Sequence, residues 1–397
     1  MPRTAFFASV ALVFVAGPSA GAADVKTQRL HQKIDAAIRA AQPGPVSPPA
    51  ADAELLRRLS LDLRGLAPSA DETRSYLADK NPDKRVRWTE TFLADPRFAR
   101  HFANWLDIAL MERRPTKYVP LADWEAYLFK SLQAGESYDK IVRRVLIADG
   151  ADPKDRGPSR YVLDREADPH LLTRDASRLL FGRDVQCAQC HDHPNVSDYK
   201  QAEYYGLQAF FHRTVLFTDP KSKVVSLGEK AEGEVDFQSV FEPAARGKSK
   251  PQIVGKPPAP EAAMPAGKEY KVKPAEGVRP VPAQSRRELL AQVAIDGKER
   301  AFARTSANRL WAAVFGRGLV HPVDFSHPEN PATNPELLEL LADALIEMKF
   351  DLKSFVRELV LTEAYARSLD LPADFGPAIA KAAAEQGLHR FRRDCAL

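Results

Sequence analysis

Proline is spread unevenly along this chain, and that unevenness limits the fold more than any other feature. Ten of the 31 prolines lie between Thr214 and Arg286. Proline removes a backbone donor and clashes with the preceding helical turn, so this stretch cannot be long helix. On both sides of it, apolar residues recur at helical spacing. The 397 residues therefore read as a mainly α protein. A helical N-terminal domain occupies 24–215, and a small β-rich, Pro-rich insertion or linker occupies 216–284. A helical C-terminal domain spans 285–369, followed by a weakly patterned tail at 370–397.

Local signals place the elements. Leu55, Leu56, Leu59 and Leu63 form a helical stripe that Gly65 ends. Ser69 and Glu72 have capping-box spacing. Pro96 opens a helix carrying Phe98, Phe102, Trp105 and Leu106, and Pro335 opens another. Asp351 is the expected N-cap of the helix that follows. Residues 150–166 read as a polar loop. Within the insertion, Val224–Leu227 and Val235–Ser239 read as two strands joined through Gly228–Gly233, and 257–282 as either a flexible linker or an arm packed on the body. Trp311 is expected to be buried, with Gly316 or Gly318 as a left-handed cap. Phe-Ala-Arg-x-x-Ala-Asn occurs at Phe98–Asn104 and at Phe302–Asn308, and reads as two independent amphipathic helices because the flanking sequence does not repeat.

At the N-terminus, Arg3 precedes an apolar run from Ala5 to Ala16, broken by Gly17 and Pro18 and followed by small residues. That order reads as a signal peptide over 1–23, and hence as a protein exported to the periplasm or beyond. No internal apolar run reaches about 18 residues, so no membrane span is expected in the mature chain. Fifty-seven basic and 53 acidic side chains leave a formal charge of +4, too little to argue for a nucleic-acid groove.

The chemistry-bearing motif is Cys187-Ala188-Gln189-Cys190-His191. In this pattern two thiols one turn apart add to the two vinyl groups of one porphyrin, and the adjacent imidazole ligates the iron. The expected cofactor is one covalent haem c. Cys187 and Cys190 would hold it and His191 would be the axial ligand, with Asp192 and His193 orienting that ring. Candidates for a sixth ligand are His101, Met111, His170 and His212. Leu179, Leu180, Phe181, Tyr204, Tyr205, Phe210 and Phe211 are candidate haem walls. Electron transfer is the function that follows. Two alternatives use the same residues. The CxxC pair could form a disulfide, structural or redox-active, in a secreted binding or scaffold module. Cys187, Cys190, His191 and His193 could instead hold zinc, Cys190, His191 and His193 serving a metal-dependent hydrolase. There is no P-loop, no G-x-S-x-G and no H-E-x-x-H, and no carboxylate pair can be nominated for acid–base work, so whether the chain is an enzyme stays open.

Several blocks carry a family resemblance. In the first helical region these are Leu55–Leu59 with Asp62–Leu66, Trp105–Asp107, Asp123-Trp124, Cys187–Pro194, Tyr204-Tyr205 and Ala209–Phe211. In the second they are Phe302–Arg304, Asn308–Trp311, Phe315–Val320 and Pro335–Leu338. The chain resembles the planctomycete-type secreted cytochrome-c-like domain followed by its companion secreted domain of unknown function. The resemblance covers roughly 28–368. It implies export, haem binding through the same pentad, and an unidentified redox partner, with sulfatase-like secreted proteins of polysaccharide-degrading bacteria as the neighbours it points to. Members usually run on with more helices past the equivalent of Tyr365, so an abbreviated second domain is expected here.

Overall fold

The computed structural model describes residues 29–41, 47–241, 246–295 and 300–368. The expected signal peptide and the whole of the expected tail lie outside the described residues. Ten helices lead to the insertion: α1 (Leu30–Ala41), α2 (Asp52–Arg64), α3 (Ala70–Ala78), α4 (Lys84–Ala94), α5 (Pro96–Met111), α6 (Leu121–Gln133), α7 (Tyr138–Ile147), α8 (Arg160–Leu163), α9 (Pro169–Phe181) and α10 (Gln201–Gln208). Three two-stranded antiparallel hairpins follow, pairing β1 (Thr214–Thr218) with β2 (Val225–Glu229), β3 (Val235–Gln238) with β4 (Arg246–Ser249), and β5 (Tyr270–Val272) with β6 (Val281–Pro282). The chain then returns to helix in α11 (Arg286–Ile295), α12 (Arg300–Phe315), α13 (Pro335–Glu347) and α14 (Leu352–Val360). The protein is mainly α, as its periodicity requires.

The helix ends are set by local chemistry. The Ser69 hydroxyl accepts from the Glu72 amide at 3.1 Å while the Glu72 carboxylate accepts from the Ser69 amide at 2.8 Å, completing the capping box. Asp95, Asp168, Asn334 and Asp351 each accept from an amide of the turn they open. Trp311 is buried, and Gly316 is the residue in the left-handed region, at φ 80°. Gly318 is required for a different reason: a Cβ there would collide with the Val320 carbonyl oxygen. Asn308 fixes that loop, its amide donating to Val320 O at 2.9 Å and accepting from Val320 N at 3.0 Å. Asn104, its counterpart in the other Phe-Ala-Arg-x-x-Ala-Asn segment, is exposed, so the two copies do different work.

One buried apolar cluster runs through both helical regions, from Ile34 to Tyr365. The chain's first and last described helices meet. Glu358 on α14 accepts from the His31 amide at 3.0 Å, and buried Asp35 on α1 accepts from the Glu363 amide at 2.9 Å. Asp62 accepts from the Tyr365 hydroxyl at 2.9 Å, and Arg58 donates to the Arg367 carbonyl at 2.8 Å.

Two readings need correction. The 150–166 stretch is not a solvated loop: Ser159 through Arg165 are buried there. Its polar appearance is explained by pairing, because Arg160 bonds Asp164 at 3.0 Å and Arg165 bonds Asp175 at 2.6 Å. The two expected strands do not pair with each other. Val225–Glu229 pairs with Thr214–Thr218, a segment at the end of the region read as helical, while Val235–Gln238 pairs with Arg246–Ser249. Gly228 is therefore inside a strand opposite Val215 rather than in a turn, and it lies against Pro280, where a Cβ would approach the ring to 2.8 Å.

The Pro-rich segment is tied to the body at Glu261, Tyr270 and Arg279, while 261–268 and 271–278 are exposed. Buried Arg286 donates to Glu261 at 2.8 Å and to the Ala209 carbonyl at 3.2 Å. Glu229, also buried, accepts from the Ser285 hydroxyl at 2.6 Å and the Arg286 amide at 2.5 Å. The Leu227 amide donates to Asp149 O at 2.7 Å.

Candidate functional site around Cys187, Cys190 and His191

Gly182 ends α9, and the chain enters the pentad already fastened to the C-terminal region. Arg183 forms a bridge with Phe325, the Asp184 amide donates to Asp324 O at 2.8 Å and the Ser326 amide donates to Gly182 O at 2.9 Å. Gln186–Gln189 then forms one turn of 3₁₀ helix capped by Cys190. In such a turn residues three apart lie one above the other. Cys187 and Cys190 are both free and exposed, while Ala188 between them points inward. The inward side rests on a small separate cluster of Val185, Ala188, Val196, Tyr199 and Tyr204, with Tyr205 and Phe325 packed on it.

The His191 ring has a defined proton arrangement. Its Nδ1 lies 2.6 Å from the Asp192 carbonyl oxygen. A carbonyl oxygen can only accept, so Nδ1 carries the hydrogen and the lone pair of the neutral ring sits on Nε2. Asp192 therefore touches His191 through its backbone. Its carboxylate accepts from the Gln201 amide at 2.9 Å and pairs with Lys200 at 3.1 Å. Burial pushes the Asp192 carboxyl up, but that amide and ammonium outweigh it and hold the group below its ordinary value. His193 serves its own turn: its Nδ1 accepts from the Asn195 amide at 3.2 Å, its amide donates to Tyr199 O, and its ring stands edge-on to Tyr199.

The four candidate sixth ligands are scattered. His101 lies against Gly65 and edge-on to Phe102, in the corner between α2 and α5. Met111 is fully buried with its sulfur 3.5 Å from Arg165 Nη1. His212 lies near Gly233 with much of its surface exposed, and partial desolvation of the ring with the Arg286 and Arg213 charges lowers its pKa. Only His170, of these four, stands beside the pentad's cluster; its Nδ1 is 2.9 Å from the Tyr204 hydroxyl and its ring stacks on Tyr204. Among the candidate walls, Leu179, Leu180, Phe181, Phe210 and Phe211 belong to the main core, and Tyr204 is buried in the small cluster. Tyr205 is the one that reaches the motif, donating from its hydroxyl to Gln189 O at 3.1 Å. Burial raises the Tyr205 pKa, and the negative charge of a Cys190 thiolate beside it acts in the same direction.

The residues that sequence reasoning missed come from the β3–β4 hairpin. Phe237 stacks on Tyr205 with ring centres 5.3 Å apart, and Phe241 lies 5.0 Å from the His191 ring. The Val240 amide donates to Cys190 O at 3.3 Å. Gln201 joins the two segments, donating to Gln189 O at 3.2 Å and to Gln238 O at 3.3 Å. The alternation of Val235, Phe237 and Ser239 signalled a strand but not where it would dock. Among the described residues, no group of three or more His, Cys, Asp or Glu side chains is placed to hold a metal ion, so the four zinc candidates are not gathered into a site.

A mainly helical chain that presents an exposed C-x-x-C-H turn is the class these observations define. Residues 31–215 match the family model described as PSCyt2, a protein of unknown function (DUF1549), and residues 286–393 match PSD1, also a protein of unknown function (DUF1553). The chain thus combines a PSCyt2-like region and a PSD1-like region, in that order, on either side of the Pro-rich insertion. Comparison with curated proteins and with solved structures gives no match. No helix among the described residues is long and apolar enough to cross a membrane.

Proposed function

We propose that this protein is exported and carries one haem c, covalently held by Cys187 and Cys190 and ligated by His191, for electron transfer outside the cytoplasm. The observation that carries the reading is the combination at the 3₁₀ turn: two exposed free thiols at i and i+3, followed by an imidazole whose Nδ1 is committed to a carbonyl, leaving Nε2 as the donor. The residues present fit the group. Each thiol would add across one vinyl group, the sulfur bonding one carbon and the hydrogen going to the other, with no net change of oxidation state. Bound there, the haem would supply one-electron exchange at its iron. The chain's own contribution is to fix the ring of His191, to hold the turn on the small Tyr-rich cluster, and to exclude water from one side. The cytochrome-like name of the matched N-terminal family supports the same reading.

Protein matured in cells with a c-type haem attachment system is expected to be red, to give a c-type pyridine spectrum, and to exceed the mature polypeptide mass by one haem. The mature N-terminus is expected at Ala23 or Asp24. Colourless protein from cells that mature another c-type cytochrome overturns the proposal. A product two hydrogens lighter than the reduced polypeptide would favour a disulfide at the same cysteines.

A further inference from the structure

Val240 and Phe241 are anomalous. They are 63% and 72% exposed, the two most exposed large apolar side chains among the described residues, and they are adjacent. The residues beside them are tied to the pentad. The backbone of Val240 is bonded to Cys190, Phe237 is stacked on Tyr205, and Gln201 bridges the hairpin to the pentad. The Phe241 ring lies against the His191 ring, whose Nδ1 is held by the Asp192 carbonyl. An apolar surface fastened so closely to an exposed C-x-x-C-H turn points to a flat apolar occupant seated on that turn.

We infer that the β3–β4 hairpin of the insertion is one wall of the haem site, with Phe241 and Val240 covering the porphyrin edge beside His191 and so setting its exposure to water. This rests on the haem reading above, and the occupant is the haem itself. Exposure to water favours the more highly charged oxidation state, so removing this cover lowers the reduction potential. The hairpin lies between the two matched family regions and is the part of the chain that tunes the site.

The test compares the haem-loaded full chain with Phe241→Ala and Val240→Ser, using Leu77→Ala as an exposed apolar control on α3. Phe241→Ala is expected to keep its covalent haem. At a fixed solution potential its reduced-to-oxidised ratio falls about tenfold, equivalent to about 59 mV for one electron. Val240→Ser is expected to move the potential the same way by less, and Leu77→Ala to leave it unchanged. The circular dichroism of Phe241→Ala should match that of the parent, since the side chain is mostly exposed. In haem-free protein, the His191 ring protons are expected to lose a ring-current shift on Phe241→Ala. Red parent protein with unchanged potential in Phe241→Ala overturns the hairpin assignment and leaves the haem reading standing. Colourless parent protein overturns both.

Discussion

The segment around Asp62 and Arg64 and the segment around Cys187 and His191 both stand out as motifs in the sequence, yet the structure puts them to opposite uses. Arg64 is buried, donates to Glu72 at 2.7 and 2.9 Å, to Ser60 at 2.8 Å and to Asp95 at 3.3 Å, and lies 3.8 Å over the Phe92 ring. Asp62 is buried against Tyr365. In this block almost every polar group turns inward to another part of the chain. At the pentad, the thiols face outward and Ala188 is the side chain buried in the small cluster. A recognisable block can thus be a structural knot or a reactive surface, and where its polar atoms are directed separates the two.

The difference can be broken most severely at the helical frame. Trp311, buried on α12 with its ring 3.9 Å from that of Phe315, should cost about 3–5 kcal/mol when changed to Ala. A denaturant titration giving less than about 1 kcal/mol would place it outside the tight core. Arg64→Met comes next. Breaking a buried ion pair costs about 3–5 kcal/mol, but Glu72 retains 25% side-chain exposure and can rehydrate, so about 2–3 kcal/mol is expected at neutral pH.

The same variant has a pH signature. The Arg64 guanidinium holds the Glu72 carboxyl down to about 2, from an ordinary 4.5. A carboxyl depressed on folding stabilises the protein fully above its unfolded pKa, and that stability is lost as pH falls through the folded value. Acid titration of the parent should therefore show stability declining from about pH 4.5 towards about pH 2. Arg64→Met should flatten that decline, and an unaltered slope would remove Arg64 as its cause. The smallest effect belongs to the pentad. In haem-free protein, Cys187→Ser with Cys190→Ser should shift stability by about 0.5 kcal/mol or less, since both side chains are exposed. A loss above about 2 kcal/mol would make the cysteines part of the frame and erase the contrast.

Much of the frame was legible because its rules are local. Capping at Ser69 and Asp351, the proline starts at Pro96 and Pro335 and the cap at Gly316 each depend on residues within one turn. The buried 159–165 stretch was not legible, because Arg160 and Arg165 read as solvent-seeking until the acids that neutralise them are brought near. Strand pairing failed for a related reason: the partner of Val225–Glu229 came from before it in the chain, and alternation says nothing of which neighbour is chosen. At the site, the pentad declared its own chemistry. Its surroundings did not, because Phe237, Val240 and Phe241 reach it only through the folding of the insertion, and Phe325 through the C-terminal region.

The lacing of α1 and α2 to the segment after α14 also carries a consequence in time. A ribosome delivers Asp35, Arg58 and Asp62 first, yet their partners at Glu363, Ala364, Tyr365 and Arg367 are among the last described residues to be made. Contacts so distant along the chain form slowly, because a very large loop must close before they return any free energy. The earliest helices must therefore wait, incompletely housed, until synthesis is nearly over, and a chain interrupted in the Pro-rich insertion would leave its beginning without the surface that completes it.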